Sequence, residues 1–575
     1  MRHNFIYFLI VLLIFLSACR NTDLETITSM SPPVVGQGDI VHSSAEGGEW
    51  PFVYSHDIGS TPKDVYFIFT NPTDTTLSSD IEVQSNSMEP SVSSEETRIN
   101  LSGNNAAAIE TPGSVYTFPS NIREFNNHPP PMLPKGDDLN EMQLQLGEIP
   151  ALQLTAVGTT IELNESIDLA YYNHLTIVDS TCQATRAVGD FTVNIWVANE
   201  DFTGGSCEVD SDCMNTVMAE TFLDKFLQDG NNDIYGWMTD MIGAPWGNHS
   251  SSVLIPASQK DTIDILFYDI PAVSDGTIIG YFHAKDNYLS SYPETPTSNE
   301  RLIFYMDSVL AATEEDTSWE ISDYYPELVL STLSHEFQHM INFYQKPVLR
   351  AEGTASDTWL NEMSSLMSED LMSSKLEVNG PRGVTYSDFS AGISGNTDGR
   401  LPGYIYYNDQ SAVIWDASYS YSVNYAFGAY LLRNFGGANI LKHLVQSPYT
   451  DTGAINYALS QMGYDFNFSE VLQRWGVSVL LSDQLDIPQY YQYNTETSFD
   501  STVGTSTYQI GSINMYNYTL SGQSGPKTVS MSELPNLNYH NAASNIFVRA
   551  GSQLTGTQEW IIKMRQNTKL SVVLK

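Results

Sequence analysis

Ser331-Thr332-Leu333-Ser334-His335-Glu336-Phe337-Gln338-His339-Met340-Ile341-Asn342-Phe343 sets two histidines four positions apart, with a glutamate directly after the first. On an α-helix, positions i and i+4 lie one above the other, so both imidazoles reach a single ion at about 2.0–2.1 Å. A helix is predicted over 325–344, because Pro326 suits its first turn and Leu330, Leu333, Phe337, Met340 and Ile341 recur at spacings of three and four. That apolar row lies opposite His335 and His339: one side packs and the other coordinates. Glu336 adjoins the first histidine and is placed to take a proton from water whose pKa an ion lowers to about 7.

A hydrolytic site of this kind needs a third protein ligand and one open position. Downstream stands Trp359-Leu360-Asn361-Glu362-Met363, with Ser356 or Asp357 as N-cap of a second helix. Glu362 follows His339 by 23 positions, enough for a loop and a returning helix. Glu352 and Glu369 are less well framed as ligands. Two histidines and a glutamate on successive helices are similar to the glutamate-zincin pattern, and STLSHEFQHMINF with WLNEM resembles the hyicolysin family of zinc metallopeptidases. IDILFYDI at 263–270, IIGYFHAKDNY at 278–288, SNERLIFYMD at 298–307, GAINYAL at 453–459 and FSEVLQRWGVSVLL at 468–481 extend the resemblance over about 190–485.

The resemblance implies an α+β, zincin-like metallopeptidase core, with a β-sheet upper lobe and a helical lower lobe around a substrate cleft. It implies one Zn2+ held by His335, His339 and Glu362, with Glu336 as general base and a protein or peptide as substrate. Some glutamate-zincins carry an aspartate four residues after the glutamate ligand to orient a histidine. Here that position is Leu366, which leaves Glu369 or Asn361 for the task. Peptide hydrolysis also needs a donor to the tetrahedral oxyanion. The stretch SYSVNYAFGAYLLRNFGG offers Tyr421 and Tyr425; Tyr425 is the one selected, ahead of His283 and His443. No GxMEN-type element for holding a substrate amino terminus is present, which favours an endopeptidase over an aminopeptidase of the same superfamily. The alternative from another class is a surface binding protein or adhesin whose peptidase lobe is vestigial.

Outside this core, Arg2 and His3 precede the apolar run 5–16 and the sequence Leu16-Ser17-Ala18-Cys19. This resembles a bacterial lipoprotein leader, implying cleavage before Cys19, lipidation of its thiol and a membrane contact through that lipid in the cell envelope, periplasmic or surface-exposed. The expected organisation is a leader over 1–18, a tether over 19–45, an N-terminal β domain over 46–189, the peptidase domain over 190–486 and a C-terminal β domain over 487–575. Val193-Asn194-Ile195-Trp196-Val197 is read as the first strand of the peptidase domain. The chain carries 25 basic and 68 acidic side chains, a formal charge of −43 that repels phosphate backbones and excludes nucleic acid as a natural partner. Of the remaining cysteines, Cys207 and Cys213 are the pair expected to form a disulfide across a turn, leaving Cys182 free. Asp229-Gly230-Asn231-Asn232-Asp233 alternates oxygen ligands as calcium loops do, but Ile234 replaces the expected glycine; an Asn/Gly turn is the favoured reading over a Ca2+ site.

Overall fold

The computed structural model describes residues 26–27, 34–35, 38–46, 51–78, 80–86, 120–132, 155–164, 177–207, 212–230, 232–271, 278–315 and 318–575. The leader and Cys19 lie outside the described residues. The chain is of mixed α+β class and divides into two units, one of Met1–Ser102, Thr528–Asn541 and Asn545–Lys575, the other of Gly103–Lys527 with Ala542–Ser544. No helix among the described residues is long and apolar enough to cross a membrane.

The first unit joins the two ends of the chain. Lys569–Leu574 pairs antiparallel with Lys63–Asn71 on one side and with Gly38–Glu46 on the other. Thr557–Lys563 is likewise flanked by Phe52–Asp57 and Glu82–Ser85. The two sheets share one core, in which Phe67 meets Trp560 edge-to-face at 5.2 Å and Tyr54 meets Phe67 at 6.0 Å. The separate N- and C-terminal β domains drawn from the sequence are therefore corrected to one β-sandwich built from both ends. Burial alternates along Phe52–Asp57 and Thr557–Lys563, so each has a face to cover, and the strands that pair are some 500 residues apart in sequence.

The second unit is organised on a six-stranded sheet. Its strands in chain order are β1 (Thr160–Asn164), β2 (Ile177–Val188), β3 (Phe191–Ala198), β4 (Thr262–Tyr268), β5 (Gly280–Phe282) and β6 (Ile303–Asp307), arranged β5-β6-β4-β3-β2-β1. β3, β4 and β6 run parallel, and nearly every residue in them is buried. Such strands, covered on both faces, read as continuous apolar runs. β5 is antiparallel to β6 and forms an edge. Val193–Val197 is thus in the third strand of this sheet, and the boundary at 190 moves upstream: β1 and β2 hydrogen-bond into the sheet instead of closing an N-terminal domain. A buried Asp264 ties the centre together, accepting from Asn194 Nδ2, Trp196 Nε1 and Arg301 Nη1, each at 2.8 Å.

Helices α1 (Ser120–Asn127), α2 (Thr216–Phe226), α3 (Ile234–Ile242), α4 (Tyr324–Phe343), α5 (Thr358–Leu376) and α6 (Ser420–Asn434) surround the sheet and the site. Phe226 meets Phe304 of β6 at 5.7 Å and Phe337 of α4 at 5.1 Å, so the apolar side of α4 faces the sheet and α2, as its spacing predicts. The segment after α6 that was read as part of a C-terminal domain, 487–527, stays with this unit. Its Gly511 carbonyl accepts from Arg433, whose guanidinium also bonds Asp370 of α5 at 2.8 Å in a fully buried pair. Cys207 and Cys213 are disulfide-bonded, and Cys182 is buried with a free thiol. Asp233 caps α3: its two carboxylate oxygens accept from Gly236 N at 2.6 Å and Gln228 N at 2.5 Å. Both oxygens are thereby used by the backbone, so the Asn/Gly turn accounts for this stretch and the calcium reading gains nothing.

Candidate metal centre

α4 continues into a π-helical turn at Tyr344–Val348, and a loop leads from there to α5. Asp357 is the N-cap of α5, and its carboxylate accepts from Trp359 Nε1 at 3.2 Å. α6 lies close against α5 at Gly428, where a Cβ would fall 2.7 Å from Met367 Cγ and 3.0 Å from Met363 Cγ. These contacts bring three helices to one buried point.

At that point His335 Nε2 lies 3.2 Å from Glu362 Oε2, and His339 Nε2 lies 3.8 Å from Glu362 Oε1. All three side chains are buried. The imidazole rings are 4.8 Å apart and nearly perpendicular. Donor atoms on a tetrahedral ion with bonds near 2.05 Å stand about 3.3 Å apart, so the spacing of Glu362 from the two imidazoles suits one small cation. His335, Glu336 and His339 also offer ligand atoms within 4.8 Å of one another.

The proton inventory points the same way. Glu369 Oε1 accepts from His335 Nδ1 at 2.7 Å, while Glu369 Oε2 accepts from Ser331 Oγ at 3.0 Å. That bond fixes the proton on Nδ1 and turns the Nε2 lone pair toward a carboxylate oxygen at 3.2 Å. Two acceptors at this distance require a cation or a second proton between them. Without a metal ion the proton fills this role: burial disfavours a charged His335, but Glu362 and Glu369 override it and hold its pKa up at about 10. His339 differs, since burial depresses its pKa to about 4. Ser365 Oγ donates to Gln338 Oε1 at 2.6 Å and lies 3.3 Å from His339 Nδ1 and 3.5 Å from His339 Nε2. Burial pushes Glu336 up to about 8, one of its oxygens accepts a backbone bond from Phe282, and Oε2 has no hydrogen-bond partner. Three buried carboxylates around two imidazoles form an anionic donor set that fits a divalent cation.

The orienting partner of His335 is Glu369, while the Asn361 side chain acts on His339. Glu362, Ser365 and Glu369 share one face of α5 at spacings of three and seven. That polar row on an otherwise buried helix is the signal that singles out Glu369 and Ser365, neither of which the motif contains. Leu366 is fully buried.

Tyr425, the tyrosine selected from the sequence, is set among other charges than those of the centre. It is buried with a hydroxyl lacking a partner, and the charges acting on it are those of Asp370, Arg433 and Arg382. Tyr421 and Tyr425 stand four residues apart on α6, about 6 Å along its axis. Tyr421, one turn earlier, is set among the charges of the centre: burial drives its hydroxyl pKa well up, and Glu362 and Glu336 add to that push while Arg123 and Arg400 oppose it. Its ring stacks edge-on against Trp415 at 5.0 Å. His283 sits at the end of β5 with both ring nitrogens buried and unbonded. His443, half-buried on Ala438–Val445, is influenced by Lys442 and by none of the site carboxylates. A cavity of about 350 Å3, bordered by Tyr324, Glu327, Ser331, Glu369 and Arg400, adjoins the centre through Glu369 and includes neither imidazole in its wall.

The model of one family, peptidase M30, matches residues 176–503. The chain belongs to the peptidase M30 family. The hyicolysin resemblance carried by STLSHEFQHMINF and WLNEM is that same family, and its extent is wider than 190–485: the M30 match takes in β2, in keeping with the sheet. Among curated proteins, the chain is 24% identical over 277 residues to the neutral metalloprotease ShpI of Staphylococcus hyicus, covering 47% of this chain and 56% of that protein. This M30 chain thus spans about half the length of the curated relative it matches.

Proposed function

We propose that this M30 chain is a zinc-dependent endopeptidase with a zincin-like core, in which His335, His339 and Glu362 hold the ion. The observation that carries the reading is the Glu362 carboxylate set 3.2 and 3.8 Å from two imidazole Nε2 atoms, beside a Glu336 oxygen with no partner. Two imidazoles and one carboxylate with a fourth position open are a zinc donor set. The ion, when bound, supplies Lewis acidity toward a water and toward the scissile carbonyl.

The chain's own residues supply the remainder. Glu336, buried and raised toward neutrality, takes the proton of the attacking water and returns it to the leaving amine. The Phe282 backbone bond orients its carboxylate. Glu369 fixes the tautomer of His335 so that it presents Nε2, while Ser365 and Asn361 hold the His339 ring. Tyr421, on which the charges of Glu362 and Glu336 act, is the donor to the oxyanion in preference to Tyr425. A lipoprotein leader, with anchoring through Cys19 in the bacterial envelope, completes the proposal.

The test is Glu336→Gln in the protein lacking residues 1–18, analysed for metal content and for casein cleavage with and without chelator. About one zinc per chain in both proteins, with chelator-sensitive cleavage by the parent alone, is the expected result. Cleavage retained by the variant would refute the role of Glu336, and absence of zinc in the parent would favour a binding protein with a vestigial lobe.

A further inference from the structure

Residues 120–132 lie upstream of the M30 match at 176–503, yet they are built onto the edge strand beside the metal centre. Among the described residues β5 pairs with β6 alone, leaving its outer backbone groups open to another strand. One of those groups, the Phe282 N–H, already bonds Glu336. The next two go to a single side chain: Asn126 Nδ2 donates to Phe282 O at 2.7 Å, and Asn126 Oδ1 accepts from Ala284 N at 2.8 Å. A side-chain amide thereby makes the bonds that a polypeptide laid along this edge would make.

The neighbouring residues hold it there. Asn127 Nδ2 donates to Thr358 Oγ1 at 2.5 Å, at the first residue of α5 and one turn before Glu362. Phe125 covers His283 edge-to-face at 4.9 Å, and His283 is 4% exposed with neither ring nitrogen bonded. The Arg123 guanidinium lies 5.3 Å over Trp415, the ring that abuts Tyr421. Downstream, Pro130 and Pro131 carbonyls accept from Tyr288 and Tyr292. The segment therefore lies along the β5 edge and the Tyr421 side of α6, with the Arg123 charge acting on Glu362.

We infer that residues 120–132 are an intramolecular occupant of the substrate edge, holding the Phe282 and Ala284 backbone groups that an extended peptide must take, so that substrate binds only when this strap is displaced. The inference rests on the peptidase reading for the word substrate, but its contacts are independent of the metal. Removal of the strap uncovers His283, the buried and unbonded imidazole next to those groups, for contact with the incoming chain.

The experiment compares the full chain carrying Glu336→Gln with the same chain carrying Asn126→Ala and Asn127→Ala as well, so that no bound peptide is cut. Two readouts are taken: hydrogen exchange of the Ala284 amide, and binding of a fluorescein-labelled synthetic peptide of residues 120–132. Loss of the side-chain bonds raises the open population roughly tenfold. The expected result is Ala284 exchange faster by about that factor, together with labelled peptide bound by the triple variant and not by its parent. If either change is missing, the segment is a fixed wall of the site and the inference falls. Asn126→Asp, which keeps the acceptor for Ala284 N and loses the donor to Phe282 O, guards against misfolding and should fall between the two. Failure of the peptidase reading looks different: strap release would still be seen, in a protein that binds no zinc and cleaves no casein.

Discussion

Glu369 is the strongest test of how the centre is held. Its Oε1 receives His335 Nδ1 at 2.7 Å and its Oε2 receives Ser331 Oγ at 3.0 Å, with all three residues buried. A hydrogen bond to a charged group contributes about 1.5–3 kcal/mol, and each 1.4 kcal/mol is about tenfold in affinity. Glu369→Gln keeps an acceptor for His335 and loses the charge, so metal affinity should fall by about tenfold. Glu369→Ala leaves His335 without an acceptor, and the fall should be roughly a hundredfold, within the range seen for outer partners of metal-ligating histidines. The same carboxylate also favours a proton on metal-free His335, whose pKa stands at about 10. Proton competition therefore weakens when Glu369 is removed, and the loss of metal affinity should be smaller at about pH 6 than at about pH 9. Competition against a graded series of chelators measures it, with turnover at saturating zinc measured alongside. Unchanged affinity in Glu369→Ala would refute the orienting role.

Tyr421→Phe should lower kcat by roughly a hundredfold with little change in KM, the size expected for one lost oxyanion donor, whereas Tyr425→Phe should leave kcat within about twofold because the charges acting on its hydroxyl are those of Asp370, Arg433 and Arg382 and not of the site glutamates. Equal effects of the two substitutions would reject this assignment. Lys346 is buried, donates to Tyr449 O at 2.9 Å, and has its pKa pushed by burial from 10.5 to about 7, against the pull of Asp451 and Asp357. The unfolded chain binds more protons than the folded one between those values, so this lysine's destabilising contribution is full below about pH 7 and fades as pH rises toward 10. Lys346→Met should stabilise the protein most near pH 7, with the difference narrowing by about pH 10; urea midpoints at the two pH values would expose a flat difference as a failure.

The local part of this protein was legible in its residues. The three-and-four spacing of Leu330, Leu333, Phe337 and Met340 and the i, i+4 pair His335 and His339 are properties of one helix, and the helix is found over Tyr324–Phe343. Glu362 could be named because its own helix is short-range in the same sense. Helical and strand periods report which face of an element is buried, not which distant element covers it.

Every departure followed from that limit. The strands at Lys63–Asn71 and Lys569–Leu574 each carry a buried face, but only the folded chain matches them across some 500 residues. Val193–Val197 looks like a beginning because its run is continuous, yet β1 and β2 extend the sheet by long antiparallel pairing. Tyr421 and Tyr425 are equivalent in composition and nearly so in direction along α6. Their difference is one helical turn, and with α6 packed at Gly428 against Met363 and Met367 it is Tyr421 on which the Glu362 charge acts. The sequence by itself thus determined the chemistry on offer, two imidazoles and the carboxylates of Glu336 and Glu362, because covalent order and helical pitch set those relations. Which carboxylate bonds His335, which tyrosine feels the charges of Glu336 and Glu362, and that Asn126 lies on the β5 edge were decided by tertiary packing alone, because each depends on the distance between elements that no local period encodes.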